Sequence, residues 1–530
     1  MSTPQTIAVI GAGTMGSGIA QLAATPAGAR TLLHDPLPEA LARGRARIEK
    51  DLRRLAERGK VPPEEVEAAL GRLHVVDSLG GLADADLIIE AAPERLELKR
   101  ELFSTLEGIV SERCVLASNT SSLLVTAVAA GLAHPERVVG MHFFNPAPVM
   151  RLLEVVAGVE SGEEALALAR ATGQAMGKTC IDATDGPGFL VNRCNRPFNL
   201  EAMKLLTEGV ADIRTIDRIM RLAGGFRMGA FELMDLVGID VGFEVGLSFH
   251  EQSFGEPRWR PSPVSVRQIA SGRLGRKTGR GFYDYSDGAH RPDDPEPPAA
   301  GGGEGLVVIS GGGVLADELR ELAAEAGWEV VSAAETLGEL AFLILDCGED
   351  DEYDEESAVA EGGPRAILCD AGSLAALDPA GPAVGFHALP PLAEGRLIEL
   401  TRQPTSSELA VERSERFFSS LGRHLAWVGD APGLVLGRLV SQLVNEAAFA
   451  LTEGVGSAAD IDTGMVLGLN HPRGPLTWAD AAGLDHVLTI LDALREELGE
   501  ERYRAAPLLR RLYLQGRLGA AYGQGFHDYE

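Results

Sequence analysis

Thr6-Ile7-Ala8-Val9-Ile10 runs directly into Gly11-Ala12-Gly13-Thr14-Met15-Gly16, and the residues that follow, SGIAQLAA, carry a helical pattern. An apolar strand, a glycine turn and a helix in that order make a nucleotide-binding unit. Gly11 permits the tight turn, Gly13 lets the backbone approach a pyrophosphate, and Gly16 lets the helix pack on the strand. The unpaired N–H groups of the first helical turn, Met15 among them, then meet the phosphates at the positive end of the helix dipole. A second strand, TLLHD, ends in Asp35, about twenty residues further on. A carboxylate there accepts hydrogen bonds from ribose hydroxyls and repels a 2′-phosphate, so the expected cofactor is NAD rather than NADP.

The rest of the chain is read outward from that unit. Its 530 residues exceed what one hydrophobic core serves, so two to four domains are expected. Hydrophobic and charged contents of 45% and 24% are those of an ordinary globular protein, while a net charge of −29 argues against nucleic acid or an anionic membrane as partner. Five cysteines lie without CxxC spacing, so neither a disulfide framework nor a metal site is expected. The first strand begins by residue 6 and no apolar run approaches the length of a membrane span. These features predict a cytoplasmic protein.

The chain also contains itself twice. Asp185-Gly-Pro-Gly-Phe-Leu-Val-Asn-Arg193 is echoed by Asp430-Ala-Pro-Gly-Leu-Val-Leu-Gly-Arg438, and Leu206-Thr-Glu-Gly-Val210 by Leu451-Thr-Glu-Gly-Val455. Asp235, Gly238 and Asp240 return as Asp480, Gly483 and Asp485, every pair separated by 245 positions. Gly281-Phe-Tyr-Asp-Tyr285 recurs as Gly525-Phe-His-Asp-Tyr529. Between the copies, residues 286–304 (SDGAHRPDDPEPPAAGGGE) have linker composition. From Gly11 to His142 is 131 positions, whereas Gly311 to His387 is 76, so the second copy is shorter by 55. The acidic run Asp346 to Glu356 falls in the shortened part and reads as a solvated loop. The expected organisation is an α/β Rossmann domain (1–185), an all-α domain (186–285), the linker (286–304), a degenerate Rossmann-like domain (305–429) and a second all-α domain (430–530).

Several strand ends of the first copy carry polar groups that a core does not require. Leu87-Ile-Ile-Glu-Ala-Ala-Pro-Glu94 ends in carboxylates with Lys99 a turn beyond, and Ala117-Ser-Asn-Thr-Ser-Ser-Leu123 is dense in hydroxyls. At the carboxyl ends of parallel strands such groups face the cofactor crevice. Val138-Val-Gly-Met-His142 closes on an imidazole, and Glu154 lies inside a second apolar run twelve positions later. A buried glutamate needs a charged or hydrogen-bonded partner, which an imidazole supplies.

The run Gly11–Gly16 with the strings SNTSS, HFFNPAPVM followed by Glu154, DGPGFLVNR and GRKTGRGFYDY resembles the L-3-hydroxyacyl-CoA dehydrogenase family over about residues 5 to 285. The tandem length resembles a bacterial long form that includes enzymes of 3-hydroxybutyryl-CoA and of 3-hydroxyadipyl-CoA in phenylacetate breakdown. The resemblance implies NAD-dependent oxidation of an L-3-hydroxyacyl-CoA, as in fatty-acid β-oxidation, with His142 as base and Glu154 orienting it. Ser121 and Asn192 match the residues at the reacting oxygen. Asp35, Glu94, Lys99, Ser121, Asn145 and Lys277 match positions holding the cofactor. Arg54 and Lys60 are candidates for CoA contact, and Arg227 or Arg258 for the far end of an acyl chain.

In the second copy His387 and Glu399 keep the spacing, but Gly437 answers Asn192, Ala521 answers Lys277 and Gly372 is matched to Ser121. That pattern predicts one working site and one structural copy. The family's helical domains pair as dimers, so the resemblance implies an internal pseudo-dimer, with a homodimer of the whole chain left open. Other readings are a dehydrogenase of a free hydroxy acid or sugar acid, and a non-catalytic nucleotide-binding descendant.

Overall fold

The structure is a computed structural model that describes residues 3–331, 341–348 and 363–529. Its contacts divide the chain into two units, Met1–Arg193 with Glu453–Leu469, and Cys194–Thr452 with Asn470–Glu530.

The first unit is built on strands β1 (Thr6–Ile10), β2 (Arg30–His34), β3 (Leu73–Val76), β4 (Leu87–Glu90), β5 (Val115–Ser118), β6 (Val138–Phe143), β7 (Leu152–Ala157) and β8 (Thr179–Thr184). They lie in the order 3-2-1-4-5-6-7-8, parallel except for the antiparallel pair β6–β7. Every residue of β1, β4, β5 and β6 is buried, as expected of strands covered by helices on both faces. Strand order reverses at β1, between β2 and β4, and in open sheets of this kind ligands bind beyond the strands' carboxyl ends at that point. The helix Ala458–Leu469, more than 270 residues further along the chain, packs on β7 and β8. The second helical domain expected at 430–530 thus gives one helix to the first unit.

The second unit holds a matching sheet of β9 (Leu306–Ser310), β10 (Glu329–Val331), β11 (Leu343–Asp346), β12 (Arg365–Leu368), β13 (Val384–His387), β14 (Leu397–Arg402) and β15 (His424–Trp427). Their order is 10-9-11-12-13-14-15, with the one antiparallel pair now β13–β14. Among the described residues the topology is that of the first sheet without a counterpart of β3. Most of the acidic run, from residue 349 onward, lies outside the described residues. Among the described residues no helix is long and apolar enough to cross a membrane.

Helices complete this unit. Residues 436–450 of the helix Leu436–Thr452 are buried without interruption, the pattern of a helix surrounded by protein. Its first-copy counterpart is broken into Val191–Cys194 and Arg196–Glu208. Pro197 sits in the first turn of the latter, where Gln442 lets the second copy continue, because proline cannot donate the backbone bond that would bridge the break. The two long helices pack together, and Arg438, wholly buried, holds Glu201, Glu208 and Tyr503. The linker is pinned rather than loose: Arg221 donates to Asp294, and His290 and Arg291 reach Glu232.

Candidate active site

The glycine loop forms as its spacing predicts. Gly11 has φ +100°, and a Cβ there would lie 2.5 Å from the Ala91 carbonyl oxygen. A Cβ on Gly16 would lie 1.8 Å from the Gly11 carbonyl oxygen, so strand and helix meet at van der Waals contact through bare backbone. Around Gly13 the Cβ direction is open, and no side chain caps the helix Thr14–Ala24 that starts there. The loop therefore offers exposed backbone where a pyrophosphate would rest. Asp35 follows β2, one oxygen accepting from the Ala12 amide at 2.8 Å and the other from Leu37 at 2.9 Å. Its carboxylate is thus fixed at the rim of the loop, where ribose hydroxyls would be held. These residues fit NAD.

Beyond β4 lies a network that strand patterning only hinted at. Glu90 and Lys99 are both buried, with Nζ 2.7 and 2.9 Å from the two carboxylate oxygens. Ser118 and the Ala92 amide also donate to Glu90, each at 2.6 Å. Lys99 reaches on to Glu94 at 3.3 Å, and Glu94 in turn accepts from Thr120 Oγ1, the Ser121 and Ser122 amides and Ser122 Oγ. Burial by itself would raise the Glu94 pKa, but Lys99 and these hydrogen bonds outweigh it and hold the carboxyl below its usual range. The SNTSS loop is therefore nailed to a charge, and Asn119 ties it to β6 by accepting from the Phe143 amide at 2.8 Å. Lys99→Met leaves the buried Glu90 carboxylate without its cation, and about 3 kcal/mol of stability is expected to go, read by urea unfolding.

His142 and Glu154 face each other as register partners in β6 and β7, and Nδ1 lies 2.6 Å from Glu154 Oε2. A carboxylate only accepts, so Nδ1 carries the hydrogen and the ring's lone pair falls on Nε2. Glu154 is wholly buried, and its other oxygen accepts from the Leu190 and Val191 amides at 3.1 and 2.9 Å. Phe144 and Phe189 pack against the imidazole with centroids 4.7 and 5.8 Å away. Asn192 follows Val191 directly in the short helix Val191–Cys194 and is half-buried. Ser121, also half-buried, sits in the loop held by Glu94.

The remaining candidates fall elsewhere. Asn145 is exposed just past β6, and Arg54 and Lys60 are exposed near the end of the helix Pro38–Glu57. Lys277 belongs to the second unit, where Nζ pairs with Asp240 at 2.6 Å. Arg227 is exposed there. Arg258 is buried and ion-paired to Glu446 at 2.9 Å, so its guanidinium serves packing, not an open pocket. Among the described residues no group of three or more His, Cys, Asp or Glu could hold a metal.

The second copy keeps the register and loses the hydrogen-bonded pair. His387 still lies opposite Glu399, but the expected pair is not made: neither ring nitrogen of the wholly buried His387 has a partner. A Cβ on Gly437 would lie 2.3 Å from His387 Cε1, so the imidazole fills the space that a side chain like Asn192 would need. The ring stacks on His486 at 5.4 Å, and burial followed by that neighbour's charge pushes its pKa well below the usual value. Glu399 keeps the two amide donors, now Val435 and Leu436, and burial raises it to about 8. The sheet also corrects one match. Ser118 pairs with Gly140 and Ile367 with Gly385, while Asp185 holds the amides of 125 and 126 as Asp430 holds those of 374 and 375. With both loop ends fixed, Asp370 and not Gly372 answers Ser121. The carboxylate on this loop is Glu497, which accepts from the Ser373 amide at 2.7 Å.

Residues 6–186 match the family domain "3-hydroxyacyl-CoA dehydrogenase, NAD binding domain", and residues 188–285 and 433–529 each match its C-terminal domain. The chain is 36% identical to the 3-hydroxyadipyl-CoA dehydrogenase of Escherichia coli K12 over 96% of its own length and 98% of that protein's. It is 42% identical to a probable 3-hydroxybutyryl-CoA dehydrogenase of Bacillus subtilis, covering 53% of this chain and 97% of the relative. A crystal structure of 3-hydroxybutyryl-CoA dehydrogenase from Escherichia coli K12 superposes with a TM-score of 0.82 at 35% identity, covering 97% of this chain and 99% of that one.

Proposed function

The chain belongs to the 3-hydroxyacyl-CoA dehydrogenase family, NAD-dependent oxidoreductases of L-3-hydroxyacyl-CoA, and from that premise we propose that His142 is its general base and the first copy its single working site. The observation that carries this reading is the 2.6 Å bond from His142 to Glu154, itself clamped by two backbone amides. Gly11–Gly16 and Asp35 would hold NAD, which would supply the acceptor for the hydride from C3 of the substrate. His142 Nε2 removes the 3-hydroxyl proton, and the cation so formed is stabilised by Glu154, which also fixes the ring's tautomer and orientation. Ser121 and Asn192 hydrogen-bond the oxygen as it becomes a carbonyl. Glu94 and Asn145 complete the cofactor's surroundings, with Lys99 holding Glu94 in place.

The test is NADH oxidation with acetoacetyl-CoA against free acetoacetate. Turnover with the thioester alone supports the reading, and turnover with the free acid alone favours a hydroxy-acid dehydrogenase. Hydroxybutyryl-, hydroxyhexanoyl- and hydroxyadipyl-CoA compared side by side rank the acyl chains, with Arg54 and Lys60 as the candidates for CoA contact. His387→Gln is expected to leave kcat within about twofold, since neither ring nitrogen has a hydrogen-bond partner and the side chain is wholly buried.

Reciprocal contacts support an internal pseudo-dimer. The Thr184 amide donates to the Val455 carbonyl, and Gly429, 245 positions on, donates to Val210. Arg193 pairs with Glu453, and Arg438 with Glu208. Contacts of i with j repeated as j with i are the signature of a two-fold interface, contained here in one chain. The site of action is the cytoplasm, with no membrane or nucleic acid as partner.

A further inference from the structure

The helix Ala458–Leu469 comes from the copy without a working dyad, yet it lies on β7 and β8 beside the copy that has one. Two of its buried residues are glycines. A Cβ on Gly464 would lie 2.8 Å from Val191 Cγ2, 2.9 Å from Ile181 Cδ1 and 3.2 Å from Leu190 Cδ2. A Cβ on Gly468 would lie 2.8 Å from Leu152 Cδ2 and 3.3 Å from both Phe144 Cε1 and Val191 Cγ1. Val191 and Leu190 supply the amides on Glu154, and Phe144 stacks on His142. Leu190, Val191 and Phe144, three neighbours of the dyad, therefore lie against that helix.

Glycine inside a helix costs roughly 0.5–1 kcal/mol relative to alanine, so two at one face need a reason. Helix formation does not supply one, because the counterpart positions of the first copy are Ile219 and Ala223. The reason is close approach: the helix backbone bears directly on the side chains around the dyad. Its entry is fixed independently by Thr184 donating to Val455 and Gly454, and by Arg193, next to Asn192, pairing with Glu453.

We propose that Gly464 and Gly468 are positioning residues of the first copy's proton-transfer site, holding Val191, Leu190 and Phe144 where they keep Glu154 and His142 in line. The silent copy thereby acts on catalysis as well as on assembly. Val191 transmits the contact best, since a β-branched side chain in a helix has little rotamer freedom and must carry its backbone with it. The inference rests on the assignment of His142 and Glu154 as the working pair.

The experiment uses the full chain with ¹⁵N-labelled histidine. Its variants are Gly464→Val, the milder Gly464→Ala and Gly468→Ala, and the double substitution Gly464→Val with Val191→Ala. Gly464→Val is expected to move the His142 ring signals and lower kcat about 10- to 100-fold, the scale of a small misplacement of reacting groups. The KM for NADH should stay within about twofold, because the glycine loop is untouched. The double variant should recover most of the loss by making room for the new side chain. Unchanged His142 signals and kcat in a folded Gly464→Val protein overturn the proposal, and so does a loss that Val191→Ala fails to relieve. If Gly464→Val does not fold, the two alanine variants decide by the same signals. Signals that move in a chain inactive on acetoacetyl-CoA would refute the assigned activity and leave the positioning role standing.

Discussion

His142→Gln in the full chain is expected to lower kcat about a thousandfold while leaving the dissociation constant for NADH within about twofold of the parent. Glutamine keeps some hydrogen-bonding reach toward Glu154 but has no lone pair basic enough to accept the hydroxyl proton. The loss should therefore fall on the chemical step. Cofactor affinity should survive, because Gly11 to Gly16 and Asp35 hold their places through β1, β2 and the Ala12 and Leu37 amides, none of which touches the imidazole. Stopped-flow oxidation of NADH by acetoacetyl-CoA measures the first quantity and fluorescence titration of NADH the second. A purified variant with near-parental turnover would remove His142 from its role, and a joint collapse of turnover and NADH binding would mean that the substitution had disturbed the fold instead.

The fold was largely legible because its determinants are local. TIAVI followed by a glycine turn can do little else, and buried parallel strands such as Leu87–Glu90 announce themselves as short apolar runs. The His142–Glu154 pair was legible for a related reason: polar residues inside two apolar strands must satisfy each other, and adjacent antiparallel strands bring them opposite. What could not be read was whatever depends on backbone atoms or on distant chain. No residue type encodes the Leu190 and Val191 amides that grip Glu154. Lys99 was visible as a charge near the crevice, but its burial under Glu90 depends on Ser118 and on the depth of the β4 end. The matched spacing of His387 and Glu399 suggested a kept pair, whereas the missing side chain at Gly437 gave the ring another place to go. Similarly, matching Ser121 by neighbouring letters picked Gly372, and only strand register exposes the shift to Asp370.

Residues 1–290 expressed alone are expected to self-associate or aggregate, and to turn over at least about tenfold more slowly than the full chain. Two losses combine in that fragment. The helix Arg196–Glu208 loses the helix Leu436–Thr452 that packs on it, Phe198 loses the His471 ring, and the buried Glu201 is left without Arg438. An apolar patch with an unpaired acid at its centre is unstable in water, so association with another copy is the available remedy. Separately, β7 and β8 lose the helix Ala458–Leu469, and Val191 loses the surface it rests on. A fragment dimer could cover the first loss by pairing like helices, and its partner's helix Ile213–Leu222 could then lie where Ala458–Leu469 does. That helix carries Ile219 where the full chain has Gly464, so the replacement restores cover while pressing on Val191. Light scattering behind size exclusion, with kcat measured on each peak, separates the outcomes. A slow dimer fits both halves of the argument, and an aggregate fits the first. A stable monomer with the full rate would show that the second copy contributes neither cover nor positioning, since in the intact chain it is the linker that keeps both contacts at high effective concentration.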